Sequence, residues 1–219
     1  MLRTLLAVAC AALLAACSNG KPTAADVPDD ISRVLDVKST FGQEFKVTTV
    51  APTGIDPRIL APQTLPQGVK FEPPDCAKFA TGLALPPGLK GNMAATTAEG
   101  EGNRFIAIAV ETSEPVPLTD PGPGCQKVEF AGPGSRGLVE VAESPTIDDA
   151  RTLGTHRVVQ TLVNGKPASG ELYNYVASFG SILVIVTANP LVLPNQPVVP
   201  VNTQKARDLL TAAVAAVRG

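Results

Sequence analysis

The chain has 219 residues, 44% of them hydrophobic, 4% aromatic and none tryptophan, with 18 Lys and Arg against 20 Asp and Glu for a formal net charge of −2. That near balance, with no lysine or arginine block, excludes the electrostatic footprint of a nucleic-acid binder. The length is that of a chain built on one hydrophobic core.

Arg3 supplies a minimal positive n-region, and Thr4 to Ala16 is an apolar run of signal-peptide length. It is too short for a bilayer, which needs about 20 apolar residues, so it reads as an export signal. The run ends in Leu14-Ala15-Ala16-Cys17, which resembles the lipobox of bacterial lipoproteins. In that motif small residues fit the lipoprotein signal peptidase and the cysteine that becomes residue one carries the lipid. The resemblance implies removal of residues 1–16 and a Cys17 that is S-diacylglyceryl cysteine. A chance cysteine behind an ordinary secretory signal, or a buried helix, are the plainer readings. Burying acyl chains is worth about 0.8 kcal/mol per CH₂, and two chains suffice for stable anchoring. Cys10 falls in the discarded segment. Residues 17–30, polar after the cysteine, read as a flexible tether, and 31–219 as a single domain.

Asp30 can cap a helix over ISRVLDVKSTFG, with Ile31, Val34 and Leu35 on one face and Gly42 as a stop. Glu44 to Val50 reads as a strand. Residues 51–91 are proline-rich and weakly periodic, which predicts a long irregular loop interrupted by a short helix around Asp75 to Ala80. A loop of that length is usually functional or mobile. Strands follow: MAATTA, a turn in EGEGN, then RFIAIAVETS, where Ile106, Ile108 and Val110 face one way and Phe105, Ala107 and Ala109 the other. With both faces apolar, this strand is expected to be central and covered on both sides. CQKVEF and GLVEVA come next. A meander then runs through HRVVQTLV (156–163), the turn NGKPASG, ELYNYVAS (171–178), a turn at Phe179-Gly180-Ser181 and ILVIVTA (182–188), with short connections that imply antiparallel neighbours. A second proline-rich loop, 189–201, leads to a terminal helix capped by Asn202 or Thr203. There Ala206, Leu209, Leu210, Ala213, Val214 and Val217 form one apolar stripe that must lie on the sheet. The fold class is therefore α+β: a mostly antiparallel sheet flanked by an N-terminal and a C-terminal helix.

Cys76 and Cys125 are the cysteines left in the exported domain. An oxidising compartment favours a disulfide between them, and closing a loop of about 49 residues is worth roughly 4 kcal/mol in the chain-entropy model. Two cysteines and one histidine without short ligand spacing do not make a zinc site, and no C-x-x-C pair suggests redox chemistry. His156, the one histidine, is conceivable as a general acid or base, but no nucleophile elbow accompanies it. Asp148-Asp149 in PTIDDAR reads as a turn or helical start rather than an acid pair or calcium loop. The glycine-rich GEGN and GPGSRG match no phosphate-binding pattern and read as hairpin turns. Tyr173 and Tyr175 share one strand face and are weak candidates for ligand binding in a pocket; the plainer reading places them over the core with their hydroxyls toward water.

With DISRVLDVKSTFG, the cysteine pair, ESPTIDDARTLG and ARDLLTAAVAAVRG, nearly the whole mature chain resembles an uncharacterised family of mycobacterial lipoproteins known as a domain of unknown function. More distantly it resembles the extracellular sensor domain of the receptor kinase PknH, an α+β domain with a cleft thought to bind a ligand. The sensor pattern carries two disulfides where this chain can form one, so Cys76 and Cys125 carry over as structural positions and no ligand residue does. Together these readings describe a non-catalytic, lipid-anchored lipoprotein on the extracytoplasmic side of the cell membrane. It would hold a ligand-binding or sensor-like domain whose partners are the membrane, through the N-terminal lipid, and a small apolar ligand or an envelope protein. No cofactor, metal or nucleic acid is expected. The alternatives are an interaction module or scaffold of envelope complexes and, more remotely, an unrecognised hydrolase.

Overall fold

A computed structural model describes residues 28–56, 65, 68–83, 85–86, 88–163 and 165–219. The expected signal peptide, Cys10, Cys17 and most of the tether lie outside the described residues.

The described strands form one nine-stranded antiparallel sheet. They are β1 (Lys46–Gly54), β2 (Lys70–Glu72), β3 (Gly91–Gly100), β4 (Asn103–Thr112), β5 (Lys127–Gly132), β6 (Ser135–Ala142), β7 (Arg151–Val163), β8 (Lys166–Phe179) and β9 (Ile182–Pro190), in the spatial order β1-β3-β4-β9-β8-β7-β6-β5-β2. Tight turns set much of that order. In the β3–β4 turn, Glu101 and Gly102 both have positive φ (51° and 74°), the pair that a two-residue hairpin requires. Gly180 turns β8 into β9 with φ 53°.

β4 is central, between β3 and β9, and apolar on both faces, as its sequence predicts. Phe105, Ala107 and Ala109 point to one side, where they meet two helices. One is the terminal helix, α2 (Thr203–Arg218), whose predicted stripe from Ala206 to Val217 is buried at all six positions. Its Asn202 cap accepts from the Lys205 N–H at 3.0 Å. The buried Asn103 side chain seats the same end: Asn103 Oδ1 accepts from the Asn202 N–H (2.7 Å) and Nδ2 donates to Pro200 O (3.3 Å). At the other end Arg218 donates to the carbonyls of Asp148 and Asp149 (2.7 and 3.1 Å), so PTIDDAR is a turn that receives a helix end. The floor beneath is built of Ala94, Ala98, Ala107, Ala109, Ala177 and Ala188, and such small side chains let helix backbones approach the sheet closely.

The other helix, Ile31–Thr40, starts as expected: Asp30 accepts from the Ser32 N–H at 2.8 Å. It is a 3-10 helix, however, and its buried residues are Ile31, Val34 and Val37, one every three, while Leu35 is only half-buried. Three residues per turn place those side chains in one row, where an α-helix would have rotated Val37 away. Thr96 Oγ1 on β3 donates to Val34 O (3.0 Å), a buried bond that fixes this helix on the sheet.

The opposite face of the sheet is covered by loops. Met93, Ala95, Ile108, Val110, Leu183 and Ile185 pack under Val116, Leu118 and the half-buried Leu83, Leu85 and Leu89. Farther across, Val128, Phe130 and Val139 pack under Cys76, Phe79 and Ala80. Those last residues belong to a 3-10 turn (Pro74–Cys76) that runs into a one-turn helix α1 (Ala77–Ala80), where the sequence predicts a short helix.

Candidate functional site

The loop cover on the second face is divided. One part is the described residues between 74 and 89, which follow β2 and include α1; the other is residues 113–126, between β4 and β5. Both are proline-rich, so neither can add strands to the sheet, and each instead lays isolated apolar side chains on it. Between them lies a cleft of about 540 Å³. Its floor is a stretch of β7 and β8 (half-buried Leu153 and Thr155, buried Asn174 and Val176), one wall is formed by Lys78, Phe79, Thr81, Gly82, Leu83 and Pro86, and the other is Val116–Asp120. Such a volume falls in the range of small-molecule sites, about 300–1,000 Å³.

The walls are held at their bases. Cys76 and Cys125 are disulfide-bonded, with Cα atoms 5.5 Å apart, and tie the start of the first wall to the end of the second. Ser178 Oγ on β8 donates to Val116 O (3.4 Å). The Arg157 guanidinium, from β7, donates to Ala80 O (2.8 Å) at the end of α1. Arg157 is 8% exposed, and burial pushes its guanidinium down to about 10. It lies behind the cleft, beside a small gap lined by Phe79, Gly82, Thr155, Leu172 and Asn174. On the rim, the Asp120 carboxylate turns toward its own chain and accepts from the Gly122 N–H at 2.9 Å.

A second concavity, of about 550 Å³, lies on the helix-side face beyond the helices. Its lining residues all belong to β2, β5, β6 and β7, with Ala131, Leu138 and Val158 between the charges of Lys70, Glu72, Glu129 and Arg136. Among the described residues, no loop or helix contributes to its lining.

The predicted site residues fall in three places. Cys76 and Cys125 staple the cleft. Tyr173 and Tyr175 project from β8 to the helix side, away from the cleft, which takes Asn174 and Val176 from the same strand. Tyr175 is fully buried in the core, and burial raises its phenol most, against the pull of Arg207. Tyr173 stacks on His156 with ring centroids 4.2 Å apart. Its phenol is pushed up by burial and then by the Glu171 carboxylate. Cys17 is outside the described residues.

His156 sits between two carboxylates: Nδ1 is 2.8 Å from Glu140 Oε1, and Nε2 is 2.9 Å from Glu171 Oε1. A catalytic triad needs one nitrogen for the acid and the other for the nucleophile. Here both are taken by acids. Among the described residues no group of three or more His, Cys, Asp and Glu is placed to hold a metal ion, and no helix is long and apolar enough to cross a membrane.

Sequence reading placed the functional loops at 51–91 and 189–201. The first does supply a cleft wall, but the second runs past the far end of the sheet, where Leu191 N–H donates to Gly102 O, 2.8 Å away. The true second wall, 113–126, and the cation Arg157 were missed. The available signals were the proline density of EPVPLTDPGPGC and an arginine at a strand position whose i−2 and i+2 neighbours face the covered side.

Among solved structures, this chain is similar to an uncharacterised protein from Mycobacterium smegmatis (Rv0999 ortholog), with 67% identity, a TM-score of 0.84, and coverage of 89% of this chain and 100% of that one. It also matches the extracellular domain of PknH from Mycobacterium tuberculosis at 11% identity and a TM-score of 0.34, over 86% of this chain and 92% of that one. No curated protein matches it. A family model described as a domain of unknown function, DUF5642, matches residues 30–218, and the chain belongs to that family.

Proposed function

We propose that this protein is a non-catalytic, lipid-anchored envelope protein that binds a small apolar ligand in the cleft between residues 78–86 and 116–120. The observation that carries the reading is the cleft itself: an apolar floor at Leu153 and Val176, apolar walls at Phe79, Leu83, Val116 and Leu118, and a disulfide at the base of both walls. Largely pre-formed apolar concavities with a few polar groups are where small ligands bind. The engagement of both His156 nitrogens by carboxylates weighs against hydrolysis at that residue.

Leu153 is the floor residue to test, because it is half-buried and a larger side chain would project into the cleft. Leu153→Trp is expected to weaken binding of the neutral apolar fluorophore N-phenyl-1-naphthylamine at least tenfold, read by fluorescence titration. Unchanged binding would remove the cleft from the reading. The anchor has its own test. In the producing bacterium, Cys17→Ala is expected to move the protein from the detergent phase to the soluble fraction, and its retention in membranes washed without detergent would refute lipidation.

A second reading, an interaction module, is supported by the loop 190–201, where Val192, Leu193, Val198 and Val199 are exposed (73%, 44%, 54% and 43%). Reproducible cross-linking from position 198 to one envelope protein in cells would favour it over a ligand carrier.

A further inference from the structure

The two strands under the cleft are in register, and their paired residues change character stepwise. Leu153 pairs with Val176, Thr155 with Asn174, and Arg157 with Leu172. Alternate residues of a strand share a face and lie about 6.6 Å apart, so these three pairs form a ramp along the cleft floor from purely apolar, through hydrogen-bonding, to cationic. The small gap beside Arg157 shares Phe79, Gly82, Thr155 and Asn174 with the cleft, so the ramp is continuous.

Resting on the ligand-binding reading above, we propose that the occupant of the cleft is a linear amphiphile with an anionic head. Its chain lies over Leu153 and Val176, and its head meets Thr155 and Asn174, one register step from the Arg157 guanidinium. Three features favour this orientation. A guanidinium buried beside a cleft attracts an anion far more strongly than one in water, because the surrounding medium screens it less. The Thr155 hydroxyl on the middle step, half-buried at the cleft floor, provides a donor to a carboxylate, and hydrogen bonds to a charged acceptor are stronger than neutral ones. Among the described lining residues Asp120 is the one acid, and its carboxylate is turned to accept from the Gly122 N–H of its own loop. A neutral alcohol of the same length would gain the apolar step and at most a weaker, neutral hydrogen bond at the second, and an ammonium head would be repelled at the third.

The probes are dodecanoate, dodecanol and dodecyltrimethylammonium, below their micellar concentrations, each displacing N-phenyl-1-naphthylamine from the full-length protein. Dodecanoate is expected to bind about tenfold more tightly than dodecanol, and the ammonium more weakly than either. Arg157→Met is expected to abolish the preference for the acid, read as the ratio of dodecanoate to dodecanol affinity so that any loosening of the first wall affects both probes alike. Since Arg157 also holds Ala80, that variant is paired with Thr155→Val, which is expected to reduce the preference without touching the first wall. Equal affinity for all three probes in the unaltered protein, with Leu153→Trp still blocking them, would overturn the head-group assignment and leave the apolar cleft standing. Failure of every probe would overturn both. An acid preference that survives Thr155→Val, and Arg157→Met where it folds, would also overturn the proposal.

Discussion

Replacing Cys76 and Cys125 together by alanine is expected to cost about 2–5 kcal/mol of stability and to abolish tight binding in the cleft before it abolishes the fold. The bond spans a sequence separation of 49 and joins two segments that have little regular structure of their own. Without it, residues 70–80 keep the three β2–β5 pairs, the burial of Phe79 and Ala80, and the bond from Arg157 to Ala80 O. Residues 113–126 keep Val116, Leu118 and the weak Ser178 bond. Each wall thus has enough contacts to stay on the sheet, but too few to hold a fixed distance from the other. Most small domains have a margin of about 5–15 kcal/mol, so the protein should remain folded at 25 °C. The check is a urea unfolding curve, with the midpoint falling and the slope rising as the unfolded chain loses its cross-link, beside a titration of the cleft at low denaturant. Dithiothreitol on the unaltered protein should reproduce both effects. A stability loss below about 1 kcal/mol with full binding would show that packing alone positions the walls.

How far the fold could be read in advance depended on whether an element's pattern was periodic over its full length. The stripe of α2 and the two-faced apolar run of β4 were unambiguous, and both are buried as their patterns require. Elements whose ends are polar were shortened. β7 begins at Arg151, not at His156, and β8 at Lys166, not at Glu171, because RTLGT and KPASG carry glycine, proline and hydroxyl side chains that resemble a loop. Backbone pairing between the two strands, from Arg151↔Ser178 to Val163↔Lys166, supplies what the side chains do not. β1 was likewise expected to end at Val50, but it passes Pro52 to Gly54 by a register shift, which an edge strand tolerates. β2 is three residues long, too short for any period to show.

The cleft was hardest to read because it depends on spacing between separate segments, and nothing in either segment encodes that distance. Within the loop expected over 51–91, irregular cover is found at 73–76 and in the described residues from 81 to 90, while 51–54 belong to β1 and 70–72 to β2; proline density gave equal weight to 189–201, which packs Val199 on Gly102 at the end of the sheet. The two tyrosines were read as sharing a face, which they do; whether that face looked at a cleft or at the helices depended on which side α2 chose. The residues of β8 are compatible with both choices: Tyr173, Tyr175 and Ala177 on one face, Asn174 and Val176 on the other. The helix took the alanine-rich side, because only small side chains admit a backbone so close, and the cleft was left with Asn174 and Val176.

That same choice sets the cost of emptying the helix interface. Leu210→Ala, at a side chain with no exposure, is expected to destabilise the protein by about 4 kcal/mol, in the upper half of the 2–5 kcal/mol range for such truncations. The cost of a large-to-small change depends on how well neighbours collapse into the space. Here much of the facing sheet is alanine, which has no rotamer to swing into a void, and the helix is pinned at both ends, by Asn103 at Asn202 and by Arg218 at the 148–149 turn. Helix propensity favours alanine by only a few tenths of a kcal/mol, so the cavity dominates. Val192→Ala, at a side chain 73% exposed, is the matched control and should fall within about 0.5 kcal/mol of the unaltered protein. Urea unfolding measures both. Because α2 lies on the face opposite the cleft, Leu210→Ala should leave cleft affinity unchanged wherever the protein is still folded. A loss of less than about 1 kcal/mol would mean that the helix settles onto its alanine floor, and a fall in cleft affinity at full folding would mean that the two faces of the sheet are mechanically coupled through β8 and β9.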